Sequence, residues 1–285
     1  MKAVRWGVFG ASGHFRKKVA LPALEAEGVE LRAVASRDAE RAGETAATLG
    51  VPHHYGSYEE LLADAEIEAV YIPLPNHLHL EWIRRAADAG KHVLCEKPLG
   101  LDAAQVSEAA EYCRQKGVLL MEAFMYRFHP QWTYARDLIR SGKIGLEPKR
   151  VVALVNRHPE WKTDTLTSAV LDFGGPQATF VVGTQTFAHQ HVTVLGSGGS
   201  IAVELPFNTH PDVPAGLRVR DSIGMRRVEF GPVDHCRAEL EAFSRAVREG
   251  ATEAPTPVAD AIANQRVLDA LFASEQSGGW EPAEQ

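Results

Sequence analysis

From Val4 to Glu122 the chain alternates short apolar runs with segments that carry helix-capping signals. This alternation limits the possible folds more than any other feature of the sequence. The apolar runs are Val4–Phe9, Leu31–Ala35, Ala69–Ile72, His92–Cys95 and Val118–Met121. Between them, Asp38 opens a helix that Gly50 ends, and Asp102 opens another that Gly117 ends. Ser57-Tyr-Glu-Glu60 has capping-box spacing, with Glu60 able to reach back to the Ser57 amide. Strands alternating with helices predict a parallel sheet covered on both faces.

The first turn reads Gly7-Val-Phe-Gly10-Ala-Ser-Gly13-His-Phe15. Glycines after a first strand let the backbone turn tightly and approach a pyrophosphate at a helix N-terminus. The usual spacing, G-x-G-x-x-G/A, would start at Gly10. Here Ser12 and Phe15 take its second and third glycine positions, and glycines recur at every third residue instead. A plain tight turn would look similar, but the place between first strand and helix favours a cofactor loop. The second strand ends Ala33-Val-Ala-Ser36-Arg37-Asp38. An NAD site would put an acid there for the ribose hydroxyls. Ser36 and Arg37 stand there instead, and a guanidinium can pair bidentately with a 2′-phosphate. NADP is therefore favoured, with NAD possible; the plainer reading of Arg37 is a solvated residue at a helix start.

Composition narrows the function. The chain has 285 residues, 45% hydrophobic and 24% charged, which predicts a packed globular protein. A net charge of −7 argues against nucleic-acid binding. No run is long enough to span a membrane, and the N-terminus turns glycine-rich before a signal peptide's apolar region could form. The three cysteines, Cys95, Cys113 and Cys236, are an odd number with no metal-ligand spacing, so reduced thiols in a cytoplasm are expected and no metal site.

Further motifs sit where strands end. Tyr71-Ile-Pro73-Leu74-Pro-Asn76-His-Leu-His79 forms a loop stiffened by two prolines at the carboxyl edge of the predicted sheet, where open α/β sheets bind ligands. Asn76 could offer its amide there. Cys95-Glu96-Lys97-Pro98 closes the next strand, and Met121-Glu-Ala-Phe-Met-Tyr126-Arg127-Phe-His-Pro leads away from the last. Together with Ser36-Arg-Asp-Ala-Glu-Arg41-Ala and Asp164-Thr-Leu-Thr-Ser-Ala-Val-Leu-Asp-Phe173, these stretches resemble the glucose–fructose oxidoreductase / inositol dehydrogenase / rhizopine-catabolism (Gfo/Idh/MocA) family over nearly the whole chain. The segment from Glu122 to Pro130 is similar to its branch of sugar dehydrogenases and dihydrodiol dehydrogenases.

The resemblance implies an α/β Rossmann domain, a doubly wound parallel sheet, over residues 1–122. It implies an α+β domain with an open, mostly antiparallel sheet over 123–254, serving substrate binding and dimerisation. A C-terminal helix in 255–285 would pack back on the Rossmann domain. The implied cofactor contacts are Gly10, Ser12, Gly13, His14, Phe15, Ser36, Arg37, Arg41, Pro73, Leu74, Asn76, His79, Glu96, Lys97 and Arg127. Lys97 is the implied catalytic residue, with Lys97 and Tyr126 facing a small-molecule substrate. The chemistry agrees with that role. Hydride leaves carbon as a proton leaves oxygen, so a cation beside the developing alkoxide lowers the barrier. A homodimer or higher homo-oligomer through the open sheet is implied as well.

One competing motif, Tyr112-Cys-Arg-Gln-Lys116, has the Y-x-x-x-K spacing of short-chain dehydrogenases and puts both residues on one helix face. It lies in a helix that reads as covering the sheet, and no matching serine region precedes it. After Trp132 the period changes. Arg150–Val155, Thr167–Phe173, Ala178–Gly183, His191–Leu195, Ser200–Leu205, Leu217–Asp221 and Arg226–Phe230 read as strands, with a turn at Phe173-Gly-Gly-Pro176, and Val258–Phe272 reads as a strongly amphipathic helix.

The stretch between Trp132 and Asp164 is short for the family, which usually carries there a run resembling G-G-G-A-L-x-D-x-G followed by tyrosine or histidine. That run holds the partners of the lysine and covers part of the sheet. Asn156–Thr163 resembles its lead-in and Asp164 the strand beyond it, so His158 and Asp164 flank the junction as possible partial substitutes. Two functions follow. One is an NADP(H)-dependent oxidoreductase acting on a sugar or related polyhydroxylated alcohol or ketone. The alternative is a catalytically impaired NADP-binding sensor or scaffold.

Overall fold

The computed structural model describes residues 2–140 and 148–283. The first half alternates as its sequence predicts. β1 (Val4–Phe9) runs through the glycine turn into a helical segment, Phe15–Val19, continued by α1 (Ala20–Glu25). There follow β2 (Val29–Ala35), α2 (Ala39–Leu49), β3 (His53–Tyr55), α3 (Tyr58–Ala63), β4 (Ala69–Ile72), α4 (His79–Asp88), β5 (His92–Glu96), α5 (Ala103–Lys116) and β6 (Leu120–Ala123). The six strands form one sheet in the order β3-β2-β1-β4-β5-β6, all parallel. The order reverses between β1 and β4, and such a switch opens a crevice at the carboxyl ends of the strands.

Capping signals set the helix ends. Asp38 accepts from the Arg41 amide, and Asp102 from that of Gln105 at 2.8 Å. Gly50 and Gly117 close their helices at φ of +67° and +68°, a left-handed conformation in which a side chain would be strained. Ser57 caps α3 as expected. Glu60, however, reaches the Gly56 amide at 3.0 Å, one residue before the expected one.

After β6 come α6 (Pro130–Arg140), then β7 (Arg150–Arg157), β8 (Asp164–Asp172), β9 (Gln177–Gly183), β10 (Val192–Gly196), β11 (Gly199–Val203), β12 (Ala215–Asp221) and β13 (Gly224–Phe230). The chain ends with α7 (His235–Arg248), α8 (Val258–Ser277) and the short β14 (Glu281–Pro282). One open sheet was expected; two four-stranded antiparallel sheets are found, β14-β7-β8-β9 and β10-β11-β12-β13. α6 packs its Ala135 against Ile201, Val203, Leu217 and Val219 of the second sheet. α8 lies between layers: Ala261 joins the core under α4 and α5, while Ala270 and Leu271 pack on Val151, Ala153 and Ala169 of the first sheet. Because it is buried on different sides along its length, α8 lacks the single apolar stripe expected of it.

Both faces of the parallel sheet are filled. On one, Trp6 is 1% exposed, meets the Phe243 ring at 5.5 Å and donates to Ser244 Oγ at 3.0 Å, tying α7 to β1. On the other, Phe9 stacks on Tyr58 at 4.9 Å and meets the edge of Trp82. Tyr112 and Lys116 are used structurally: both bind Asp88, at 2.8 Å and 2.7 Å, which joins α5 to α4 on the outer surface.

Candidate functional site at the carboxyl edge of the parallel sheet

Four loops meet at the carboxyl ends of β1, β2, β4 and β5. In the first, Gly10 donates to Ala35 O at 2.7 Å and holds φ at +90°, which explains a glycine at this position. Gly13 and His14 are exposed, and a Cβ on Gly13 would meet nothing within 4 Å. Arg41 reaches back from α2 to Ala11 O at 3.1 Å and fixes the loop. Phe15, also among the expected contacts, turns its side chain inward. Its ring is fully buried, packed near Tyr71, and its amide is already taken by Ser12 Oγ at 3.1 Å.

At the end of β2, Ser36 is 9% exposed and its hydroxyl accepts from the Asp38 amide. Arg37 is exposed and bonds the Tyr58 hydroxyl, whose pKa is raised mainly by burial and lowered somewhat by this arginine. In the third loop Pro73 and Leu74 are half-buried and Asn76 is exposed. His79, also among the expected contacts, faces inward. It is fully buried, with Nδ1 2.9 Å from Pro98 O and Nε2 2.8 Å from Leu74 O, so both ring nitrogens face backbone carbonyls rather than the open crevice.

The fourth loop carries Lys97, which is exposed at the end of β5. Glu96 beside it is well occupied: its Oε1 accepts from the Tyr71 hydroxyl at 2.6 Å and lies 3.2 Å from His14 Nε2, and its Oε2 faces the Lys97 amide at 3.3 Å. The glycine loop and the lysine are thereby brought together through one carboxylate. Burial first, and then Glu96, push the Tyr71 phenol well above its ordinary range. Under the same loop, Glu122 Oε1 accepts from the Leu99 amide at 2.9 Å.

Beyond β6, Tyr126 sits in an aromatic group with Phe124, Trp132 and Phe207, at ring separations of 5.8, 5.6 and 5.3 Å. Trp132 Nε1 donates to Pro206 O, which holds the Phe207 loop on α6. Arg127 pairs with Asp260 of α8 at 2.5 Å, and its guanidinium lies 5.2 Å from the Phe124 ring centre. That ion pair occupies the arginine expected to touch cofactor. His158 stacks on Trp161 at 4.2 Å, and its Nδ1 accepts from the amides of Glu160 and Trp161. Arg157 and Asp164 are paired in register, and His158 N donates to Thr163 O, so the chain passes from β7 to β8 through a closed hairpin. Neither His158 nor Asp164 bonds Lys97. The short stretch also contains residues 141–147, which lie outside the described residues.

The residues present fit a dinucleotide. A positive-φ glycine turn, an open surface over Gly13, helical amides and two arginines, Arg37 and Arg41, lie side by side where an anion would sit. Among the described residues no cluster of three His, Cys, Asp or Glu could hold a metal ion.

A family model described as an oxidoreductase family with an NAD-binding Rossmann fold, Gfo/Idh/MocA, matches residues 4–124. An uncharacterised oxidoreductase of Rhizobium meliloti is 38% identical, with 99% of each chain covered. The chain belongs to the Gfo/Idh/MocA family. A second relative, the D-xylose 1-dehydrogenase (NADP(+)) 2 of Haloferax volcanii, is 35% identical over 96% of this chain and 98% of its own length. A solved 3-ketoreductase from Actinomadura kijaniata, in complex with TDP-benzene and NADP, shares the Gfo/Idh/MocA fold. Its TM-score is 0.85 at 24% identity, over 96% of this chain and 98% of that one. The Rhizobium alignment runs over 334 positions against 285 residues here, so that relative holds an internal stretch with no counterpart in this Gfo/Idh/MocA chain.

Residues not singled out from the sequence include Tyr71, Glu122 and Asp260. An acid inside an apolar run was the available signal for Glu122. Tyr71 and Asp260 gain meaning only from partners distant in sequence.

Proposed function

We propose that this family member transfers hydride between NADP(H) and a sugar or related polyhydroxylated alcohol or ketone. The observation that carries the proposal is the exposed Lys97, set beside the glycine loop by the Glu96 bridge to His14. The cofactor, when bound, supplies or accepts the hydride. The chain does the rest. Gly10, Ser12, Gly13 and the Gly13–His14 amides line the pyrophosphate position, and Asn76, Pro73 and Leu74 border it. In the reducing direction Lys97 stabilises the negative charge that develops on the substrate oxygen as the carbon accepts hydride, and donates its proton to that oxygen; in oxidation the neutral amine takes the hydroxyl proton as the carbon gives up hydride. Tyr126 and its aromatic neighbours offer a flat apolar surface for the carbon face of a sugar ring. The relatives' names, a xylose dehydrogenase among them, support a sugar; they give no support to the sensor alternative.

Arg37 and Ser36 select the cofactor. Charge-assisted hydrogen bonds contribute about 1.5–3 kcal/mol, and an exposed guanidinium falls at the low end. Arg37→Ala is expected to weaken NADPH binding about tenfold and leave NADH binding unchanged. Fluorescence titration with each cofactor checks this; equal losses for both would remove Arg37 from the 2′-phosphate. A panel of aldoses, ketoses and polyols with NADP(H) tests the function itself. NADPH binding with no turnover on any of them would favour the sensor.

We also propose a homodimer through the first antiparallel sheet, in a cytoplasm that keeps its three free thiols reduced. Leu154, Ser168 and Val181 form one row across β7, β8 and β9, on the face away from α8. Leu154 is 78% exposed and Val181 69%, and a second copy would cover them. Light scattering should give twice the chain mass for the wild type and the single mass for Val181→Lys. A monomeric wild type would sink the dimer. No helix among the described residues is long and apolar enough to cross a membrane.

A further inference from the structure

We propose that Glu122 is a positioning residue for Lys97: from beneath the turn it clamps the Leu99 amide, and so fixes the backbone from which the lysine projects. The proposal rests on the reading of Lys97 as the group that faces the reacting oxygen. β5 and β6 pair Cys95 with Glu122, which puts the carboxyl directly under the strand end that carries the lysine. Its Oε1 accepts from Leu99 N at 2.9 Å, and both residues are buried, at 4% and 1% exposure. From the other side His79 Nδ1 lies 2.9 Å from Pro98 O. Of the two residues that follow Lys97, Leu99 is thus held at its amide and Pro98 has its carbonyl against the His79 ring, while the lysine side chain makes no ion pair among the described residues.

The second oxygen sets Glu122 apart from a packing residue. Among the described residues Oε2 is buried with no hydrogen-bond partner from the protein, and so is the nearby Arg127 Nε. Buried polar atoms are nearly always paired, and a carboxyl group is a costly way to fill apolar space, so its bond to the Leu99 amide is the role the geometry gives it. The groups around it are charged or titratable: Arg127 after β6, Asp260 on α8, and Glu96 and Cys95 on β5. Burial, joined by Asp260 and Glu96, opposes ionisation; the Leu99 amide and Arg127 favour it. The balance places the carboxyl at about 7. An ionised carboxylate accepts an amide hydrogen bond more strongly than a neutral one. The clamp therefore tightens, and turnover climbs, as pH rises through that range.

The test compares the full chain as wild type, Glu122→Gln and Glu122→Leu. The readouts are hydrogen exchange at the Leu99 amide, NADPH affinity, and kcat and KM across pH on a sugar that the wild type turns over. Glu122→Leu should lose at least about tenfold in both Leu99 protection and kcat, with NADPH affinity within about twofold. Glu122→Gln, whose amide oxygen can still accept from Leu99, should lose less and show no limb near pH 7. Unchanged Leu99 protection in Glu122→Leu, a limb retained in Glu122→Gln, or a change confined to KM would each overturn the proposal. A wild type with no turnover on any sugar would count against the functional reading alone, and Leu99 exchange would then decide the clamp. If Glu122→Leu does not fold, the pH limb and Leu99 exchange of Glu122→Gln decide it.

Discussion

Lys97→Ala is expected to lower kcat by about 10²–10⁴-fold and to change NADPH affinity by less than about threefold. The asymmetry follows from where the lysine stands. Its side chain is exposed at the end of β5 and has no ion partner among the described residues, so its charge is available to the substrate. The neighbouring Glu96 is already committed to Tyr71 and His14, and does not neutralise it by contact. Charge on the substrate oxygen grows only as hydride transfer proceeds, so an interaction with that charge lowers the barrier more than it tightens ground-state binding. Removing it should appear in kcat rather than KM. Steady-state kinetics on the sugar selected by the panel, with NADPH fluorescence alongside, supply both numbers. An alanine variant within about tenfold of wild-type turnover would show that Lys97 is not the reacting cation.

This prediction bears on the internal stretch that the Rhizobium relative has and this chain lacks. Where a family member carries a second proton-transfer group, losing the lysine leaves a partner to act. Here His158 is used to close its own turn, and Asp164 is paired across the hairpin. Neither bonds Lys97, which makes the lysine harder to replace. Apolar area also lies open on the first antiparallel sheet. β9 is exposed along nearly its whole length, and on the face away from α8 Leu154 and Val181 stand 78% and 69% open. Such area disfavours the folded monomer in water by about 25 cal/mol per Å², which is the physical ground for expecting a second copy on that face.

The parallel half was legible because its elements are announced locally. β1 and β4 begin and end where their apolar runs do, and the Asp38, Gly50, Asp102 and Gly117 signals each depend on residues within a few positions. What the sequence left open depended on distant partners. His79 is bound by two carbonyls, one of them Pro98, which no local pattern could place opposite it. Phe15 stands at a fingerprint position, yet its side chain belongs to the core, packed in one cluster with Val8, Val19 and Tyr71. α8 looked one-sided because its apolar residues were weighed against one layer, while it packs on two. The antiparallel strands were found, but not their division into two sheets, because pairing between strands is set by connections and register rather than by composition.

Glu122→Gln is expected to gain stability relative to the wild type as pH rises from about 4 to 8, by about 2–3 kcal/mol across that range. The glutamate is raised from an ordinary carboxyl value to about 7, chiefly by burial. Between those two values the folded wild type holds a proton that the unfolded chain has released. Its contribution to stability is therefore complete below the unfolded value, and is lost as pH rises through the folded one. Glutamine does not titrate, so its stability lacks this decline, and the difference between the two proteins grows with pH and levels off near pH 8. The constant cost of setting an amide beside Arg127 shifts the whole difference without altering its slope. Urea unfolding of both proteins at several pH values gives the difference directly, with equal m-values as the check that the unfolded states match. A difference that stays flat from pH 4 to pH 8 would mean that Glu122 ionises as an ordinary carboxyl, and that burial beneath the lysine turn does not hold its proton.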